Sequence, residues 1–121
     1  MTGKEVLKLS LNLLFEETDE YNSAAVSFLN LLIPELFVTE QQIRKAKGLE
    51  ELSAVPYIES LEDEIPYNEE LVRAALPFGL AAHITFDDGD MAKVSYFRQL
   101  YVNAVNTFTA AYPEMVVDHY A

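Results

Sequence analysis

The stretch Ala74–Tyr101, AALPFGLAAHITFDDGDMAKVSYFRQLY, joins two amphipathic segments through a short acidic turn. Up to Phe86 it is apolar and rich in Ala. From Met91 onward Val94, Phe97, Tyr101, Val105 and Phe108 recur at steps of three and four, which places all five on one helix face. Between the segments, Asp87, Asp88, Gly89 and Asp90 supply a stop and then a start. Glycine tolerates the left-handed backbone that ends a helix, and aspartate carboxylates accept the free N–H groups that open the next. The pattern predicts a helical hairpin.

Outward from the hairpin, helical spacing recurs. Thr2 with Glu5 has capping-box spacing, and Val6, Leu7, Leu11, Leu14 and Phe15 form an apolar stripe behind it, which predicts a first helix. The acidic stretch Glu16–Glu20 reads as a turn, with Thr18 or Asp19 as the next cap. A long second helix follows, with Ala24, Ala25, Phe28, Leu29, Leu32, Leu36 and Phe37 on its apolar side. Pro34 inside it is expected to bend or end it. The basic end around Arg44, Lys45 and Lys47, before Gly48, suits a helix C-terminus.

From Leu49 to Leu71 the character changes: Glu50, Glu51, Glu59, Glu62, Asp63, Glu64, Glu69 and Glu70 stand without a single Lys or Arg, and Pro56 and Pro66 break any long helix. This predicts a surface linker pinned by Val55, Tyr57, Ile58, Leu61 and Ile65. Asn68 is the expected cap of a third helix with a kink at Pro77, and a fourth runs from about Asp90 to Ala111, ended by Pro113. The expected fold is all-α: a small bundle of four main helices in two antiparallel hairpins, with a long acidic linker between helices two and three. Residues 1–121 read as one domain, with an extended tail from about 112 to 121.

Composition agrees. Half of the residues are hydrophobic, and four glycines are too few for a turn-rich β-sandwich. Eight Lys and Arg against 20 Asp and Glu give a net charge of −12, the wrong sign for tight nucleic-acid binding or for an anionic membrane surface. The longest apolar run, around Leu31–Ile33, is short of the roughly 20 residues that span a bilayer. With no cysteine there are neither disulfides nor thiolate metal sites.

A search for chemistry returns structural readings. Counted from Asp87, the twelfth residue is Arg98, where a calcium loop needs an acid. His83 and Asp87 stand four apart but supply only two metal ligands, and His83 reads as a histidine whose charge complements a helix C-terminus. Asp118 and His119 are adjacent in the tail without defined geometry. Neither histidine follows a Glu by three residues, as a di-iron bundle requires, and no nucleophile-elbow, P-loop, zinc-protease or dinucleotide motif occurs. The expectation is no enzyme, no cofactor, no metal. Tyr96 and Tyr112 lie off the core stripe and, with Val116, Val117 and Tyr120 in the tail, are the candidates for a partner surface.

Three segments carry a resemblance. FLNLLIPELF (Phe28–Phe37), EDEIPYNEELVRAALPFGLAA (Glu62–Ala82) and DDGDMAKVSYFRQLY (Asp87–Tyr101) are similar, in that order, to phrases of the head–tail connector or adaptor proteins of tailed bacteriophages and prophages. The C-terminal tail departs from that pattern. The resemblance implies a structural ring subunit that joins the portal protein to the tail or a stopper protein and keeps a path open for DNA, which passes without being tightly bound. It implies a homo-oligomeric ring in the virion, and a chain that is monomeric in isolation and located in the bacterial host cytoplasm during assembly. Glu62, Asp63 and Glu64, within the acidic stretch Glu59–Glu70, are then expected to face the channel or a neighbouring subunit. The competing expectation is an acidic helical interaction module, or nucleic-acid mimic, acting on a host protein.

Overall fold

Thr2 and Glu5 form the reciprocal cap that their spacing predicts: the Thr2 hydroxyl accepts from the Glu5 N–H, and the Glu5 carboxylate accepts from the Thr2 N–H. The computed structural model describes residues 1–113, and these form four helices: α1 (Gly3–Leu13), α2 (Asn22–Lys47), α3 (Glu69–Asp87) and α4 (Met91–Ala111). Cross-helix contacts give their directions. Thr2 lies beside Glu64, just ahead of α3, and Ser10 bonds Pro77, so α1 runs with α3. Glu40 meets Asn68 at the start of α3 while Tyr21 meets Asp88 at its end, so α2 runs the opposite way. Glu35 pairs with Arg98 and Thr39 with Thr109, so α4 runs with α2. The bundle is therefore up-down-up-down, in two antiparallel hairpins.

α2 and α3 are the central pair, each packed on the other three helices, while α1 and α4 lie on either side of that pair and share only the small cluster over Ala81 and Ala82, where Leu13 and Leu14 join Phe97 and Leu100. The core joins Val6, Leu7 and Leu11 of α1 to Leu29, Leu32, Ile33 and Leu36 of α2 and Leu71, Leu76, Leu80 and Ile84 of α3. Each such side chain contributes about 1.5–3 kcal/mol through burial. α4 adds only Phe97 and Tyr101 to the fully buried set. Its close approach requires Gly79, where a Cβ would stand 2.9 Å from both Leu32 of α2 and Tyr101 of α4.

Neither proline breaks its helix, and α2 continues through Pro34 to Lys47, contrary to a stop at that position. A proline removes the donor for the carbonyl four residues earlier, and next to that gap each helix takes a hydroxyl from another element. The Tyr67 hydroxyl donates to Ile33 at 2.8 Å, and the Ser10 hydroxyl to Pro77 at 2.9 Å. α2 is also long and apolar enough, by length and composition, to cross a bilayer, which the short run Leu31–Ile33 does not suggest. In this bundle it is the core helix, and its polar residues Asn30, Glu40, Gln41 and Arg44 are all engaged.

The linker is a strap held on α2 and α1. Asn30 and Gln41 of α2 each grip one peptide unit in both directions. The Asn30 amide donates to the Ile58 carbonyl at 2.8 Å and accepts its N–H at 3.0 Å, and Gln41 does the same for Leu52 at 2.8 and 2.9 Å. At the other edge, the Leu61 and Asp63 carbonyls accept the free N–H groups of Lys4 and Gly3 that open α1. Ile58 and Ile65 are buried as expected and Leu61 partly so, but Val55 and Tyr57 are exposed, and Tyr67 is the buried aromatic anchor instead.

Two expected caps are also corrected. α2 starts after Tyr21 with no side-chain cap, because the Thr18 hydroxyl is turned to the Glu20 N–H within the preceding turn. Asn68 stands at the N-cap of α3, but its side chain donates to the fully buried Glu40 and makes no cap bond.

Candidate functional site

Leu31, Glu35 and Val38 occupy one ridge of α2 at steps of four and three, and both apolar members are exposed. The ridge lies roughly a quarter turn around the helix from the Asn30 and Gln41 row that holds the strap. Beside it, Phe86 closes α3 with 64 % exposure and Val94 stands in the first turns of α4. Together they form an open groove of about 500 Å³, walled by Leu31 and Glu35 of α2, Ala82, His83 and Phe86 of α3, and Val94 and Arg98 of α4. Met91 and Tyr96, at the same end of α4, add further exposed apolar surface.

The groove has one polar wall. The Arg98 guanidinium donates to the Glu35 carboxylate at 3.2 and 3.4 Å and lies 4.9 Å from the centre of the Tyr101 ring, whose hydroxyl donates to the same carboxylate at 2.9 Å. Burial, and then the bond to Glu35, push the Tyr101 hydroxyl far above its ordinary range. His83 is half-buried and stacks on Phe28, ring centres 5.1 Å apart. Burial holds its imidazole below the usual histidine value, which favours the neutral ring over the charge expected to complement a helix C-terminus. Among the described residues, no three His, Asp or Glu side chains are grouped so as to hold a metal ion. The groove offers an apolar surface with one ion pair at its edge.

The acidic turn beside it is structural. Asp90 caps α4 by accepting the Lys93 N–H at 3.2 Å, Gly89 takes the left-handed φ of 78°, and Asp88 accepts the Tyr21 hydroxyl at 2.8 Å. That last bond ties the α1–α2 turn to the α3–α4 turn.

The residues proposed from sequence fall in separate places. Glu62 is exposed with a carboxylate 3.7 Å from the Lys4 amine, and Glu64 is exposed and 2.8 Å from the amine of Met1. Asp63 is not a free surface acid, because its carboxylate accepts the Glu59 and Ser60 N–H groups at 2.8 and 3.0 Å and shapes the turn. These three sit where α1 and α3 begin. Tyr96 stands at the opposite end, exposed and edge-on to Phe97. Tyr112 is half-buried against the core, which removes it from the exposed set. Val116, Val117 and Tyr120 lie outside the described residues.

The groove itself was not anticipated. Its one legible signal is that Leu31 is apolar yet falls off the stripe that buries Leu29, Leu32 and Leu36. Comparison with protein-family models, with curated proteins and with solved structures finds no match to this chain.

Proposed function

We propose that the chain is a structural subunit of a phage head–tail connector ring, and that it works by protein docking. The observation that carries this reading is the presence of two unlike surfaces on one small bundle. An apolar groove opens between α2 and α4, and an acidic strap stands where α1 and α3 begin. A subunit that meets different neighbours in a closed ring needs such unlike faces. The net charge of −12 suits a lumen past which DNA slides instead of adhering.

The acids also bear on the nucleic-acid-mimic alternative, which calls for a continuous row of bare carboxylates. Here cations interleave with them: Lys4 with Glu62, Lys45 with Glu51, Lys47 with Glu70 and Arg73 with Glu69. That arrangement favours the adaptor reading.

The test begins with the neighbouring genes, where a portal gene is expected. The purified chain, sedimented with the assembled portal encoded there, is expected to travel with it at a fixed ratio. No portal gene in the vicinity, or wild-type chain left in the supernatant, rejects the connector reading.

A further inference from the structure

We propose that Phe15 is a docking knob that seats in the α2–α3–α4 groove of a second copy of this chain. The sequence places Phe15 at the end of the α1 apolar stripe, yet the structure leaves it 97 % exposed. The reason is how α1 ends. The Glu16 N–H bonds the Leu11 carbonyl at 3.0 Å and the Phe15 N–H bonds the Asn12 carbonyl at 3.2 Å, the pair of bonds that closes a helix through one left-handed residue. That residue is Phe15, at φ 57°, the sole non-glycine with positive φ among the described residues. α2 ends on Gly48, at φ 69°, where glycine meets the same requirement without strain.

A bulky L-residue in this conformation is strained, and the Phe15 side chain does nothing to offset the strain, since its ring is in water. Glycine would satisfy the turn better and remove an exposed aromatic. A strained residue held out in this way points to a use between molecules.

The placement of the groove supports it as the receptor. The Tyr21–Asp88 bond puts the knob and the groove at the same end of the bundle. They lie on opposite flanks, because α1 and α4 sit on either side of the α2–α3 pair. A contact from one flank to the opposite flank of the next copy is heterologous, and it closes into a ring where the rotation between copies divides a full turn. Charge agrees as well. Glu16 and Glu17 directly follow the knob, and Arg98, exposed at the groove edge, can accept a second carboxylate, while Glu35 is already held by Arg98 and Tyr101. A phenylalanine buries about 150–250 Å², far under the roughly 1,200–2,000 Å² of a stable interface. The contact is therefore weak by itself and persists where copies are concentrated or gathered on a partner. Ring closure rests on the connector reading above; the contact between two copies does not.

Because the chain has no cysteine, disulfide trapping tests this directly. F15C chains and size-tagged V94C chains, mixed at high concentration under mild oxidation, are expected to form the mixed dimer several-fold faster than F15C with N103C, an exposed control on the same helix. Equal rates overturn the proposal. F15G is expected to melt roughly 3–6 °C higher, the shift at this chain length for removing one left-handed L-residue, and to lose concentration-dependent sedimentation. An F15G chain that associates like wild type also overturns it. If wild type travels with the portal but the trap fails, the connector reading survives with another subunit contact; if the trap forms without portal binding, the contact stands and the connector reading falls.

Discussion

Replacing Glu40 by alanine is expected to be the most damaging single change to a polar residue in this bundle. Glu40 is fully buried and serves three donors: its Oε1 accepts the Asn68 N–H at 2.7 Å, and its Oε2 accepts Asn68 Nδ2 at 2.8 Å and Arg44 Nε at 2.6 Å. Arg44 in turn holds the strap by both ends, through the Glu50 carbonyl at 3.0 Å and the Pro66 carbonyl at 2.9 Å. A hydrogen bond to a charged group contributes about 1.5–3 kcal/mol, but the three are not additive, since water reaches the partly exposed Arg44. The alanine variant is expected to lose about 3–4 kcal/mol, in line with breaking a buried pair. Glutamine keeps one acceptor oxygen but turns an amide donor toward a donor, so E40Q is expected to lose about 2 kcal/mol. Against a total of roughly 5–15 kcal/mol, E40A still folds. Urea unfolding followed by circular dichroism measures the loss, and hydrogen exchange at the Asn68 N–H reports the freed strap. An E40A loss under about 1 kcal/mol would refute the role assigned to this carboxylate.

Asn30→Ala removes both bonds to the Ile58 peptide and is expected to cost about 1–2 kcal/mol and to speed exchange of the Ile58 N–H while α3 core amides keep their protection; unchanged exchange at Ile58 counts against the strap. His83 is held below its ordinary value by burial, so between its folded value and about pH 6.5 the unfolded chain binds more protons and stability falls as pH drops. Urea midpoints at pH 7.5 and 5.5 should show this slope, and H83F should reduce it; equal slopes in the two proteins contradict the burial argument. On the alkaline side, the Asp88 bond raises the Tyr21 hydroxyl, and burial raises that of Tyr101. Their stabilisation is present below about pH 10 and lost as pH climbs above it. Y21F is expected to cost about 1 kcal/mol at neutral pH and to flatten that alkaline loss; an undiminished slope in Y21F assigns the effect elsewhere.

Local signals in the sequence carried far where the physics is local. Thr2 with Glu5, Gly48 and Asp90 each mark a helix end because the bonds that define it lie within one turn of the chain. Phe97 and Tyr101 are buried on the stripe that their spacing describes. Errors arose where a residue answers to something distant in sequence. Asn68 has the composition of a cap, but the carboxylate of Glu40 is a stronger acceptor and lies 28 positions away. Val55 and Tyr57 are apolar enough to pin a strap, yet the peptides gripped by Asn30 and Gln41 set its path and leave both side chains outside. Phe15 continues the α1 stripe by number, but the helix has already ended at Leu13.

The candidate site was the least legible part. Tyr96 lies off the core stripe and is exposed at the groove end of α4, whereas Tyr112 obeys the same rule and packs against the core. The groove is made of residues from three helices, and its members are apolar like their buried neighbours, so periodicity within one helix separates them only weakly.

The sequence by itself determined that the chain is helical, where the four helices lie, and that an acidic, proline-broken strap joins the second to the third. Helix period, caps and breakers act over a few residues and are written in neighbouring letters. Only the tertiary structure decided which apolar residues remain outside: that depends on which helix faces find partners, and α4, packed on one side only, leaves Leu31, Phe86 and Val94 around an open groove. It also decided that a phenylalanine occupies a left-handed helix end, because two backbone bonds close α1 at Leu13, two residues before the stripe is complete.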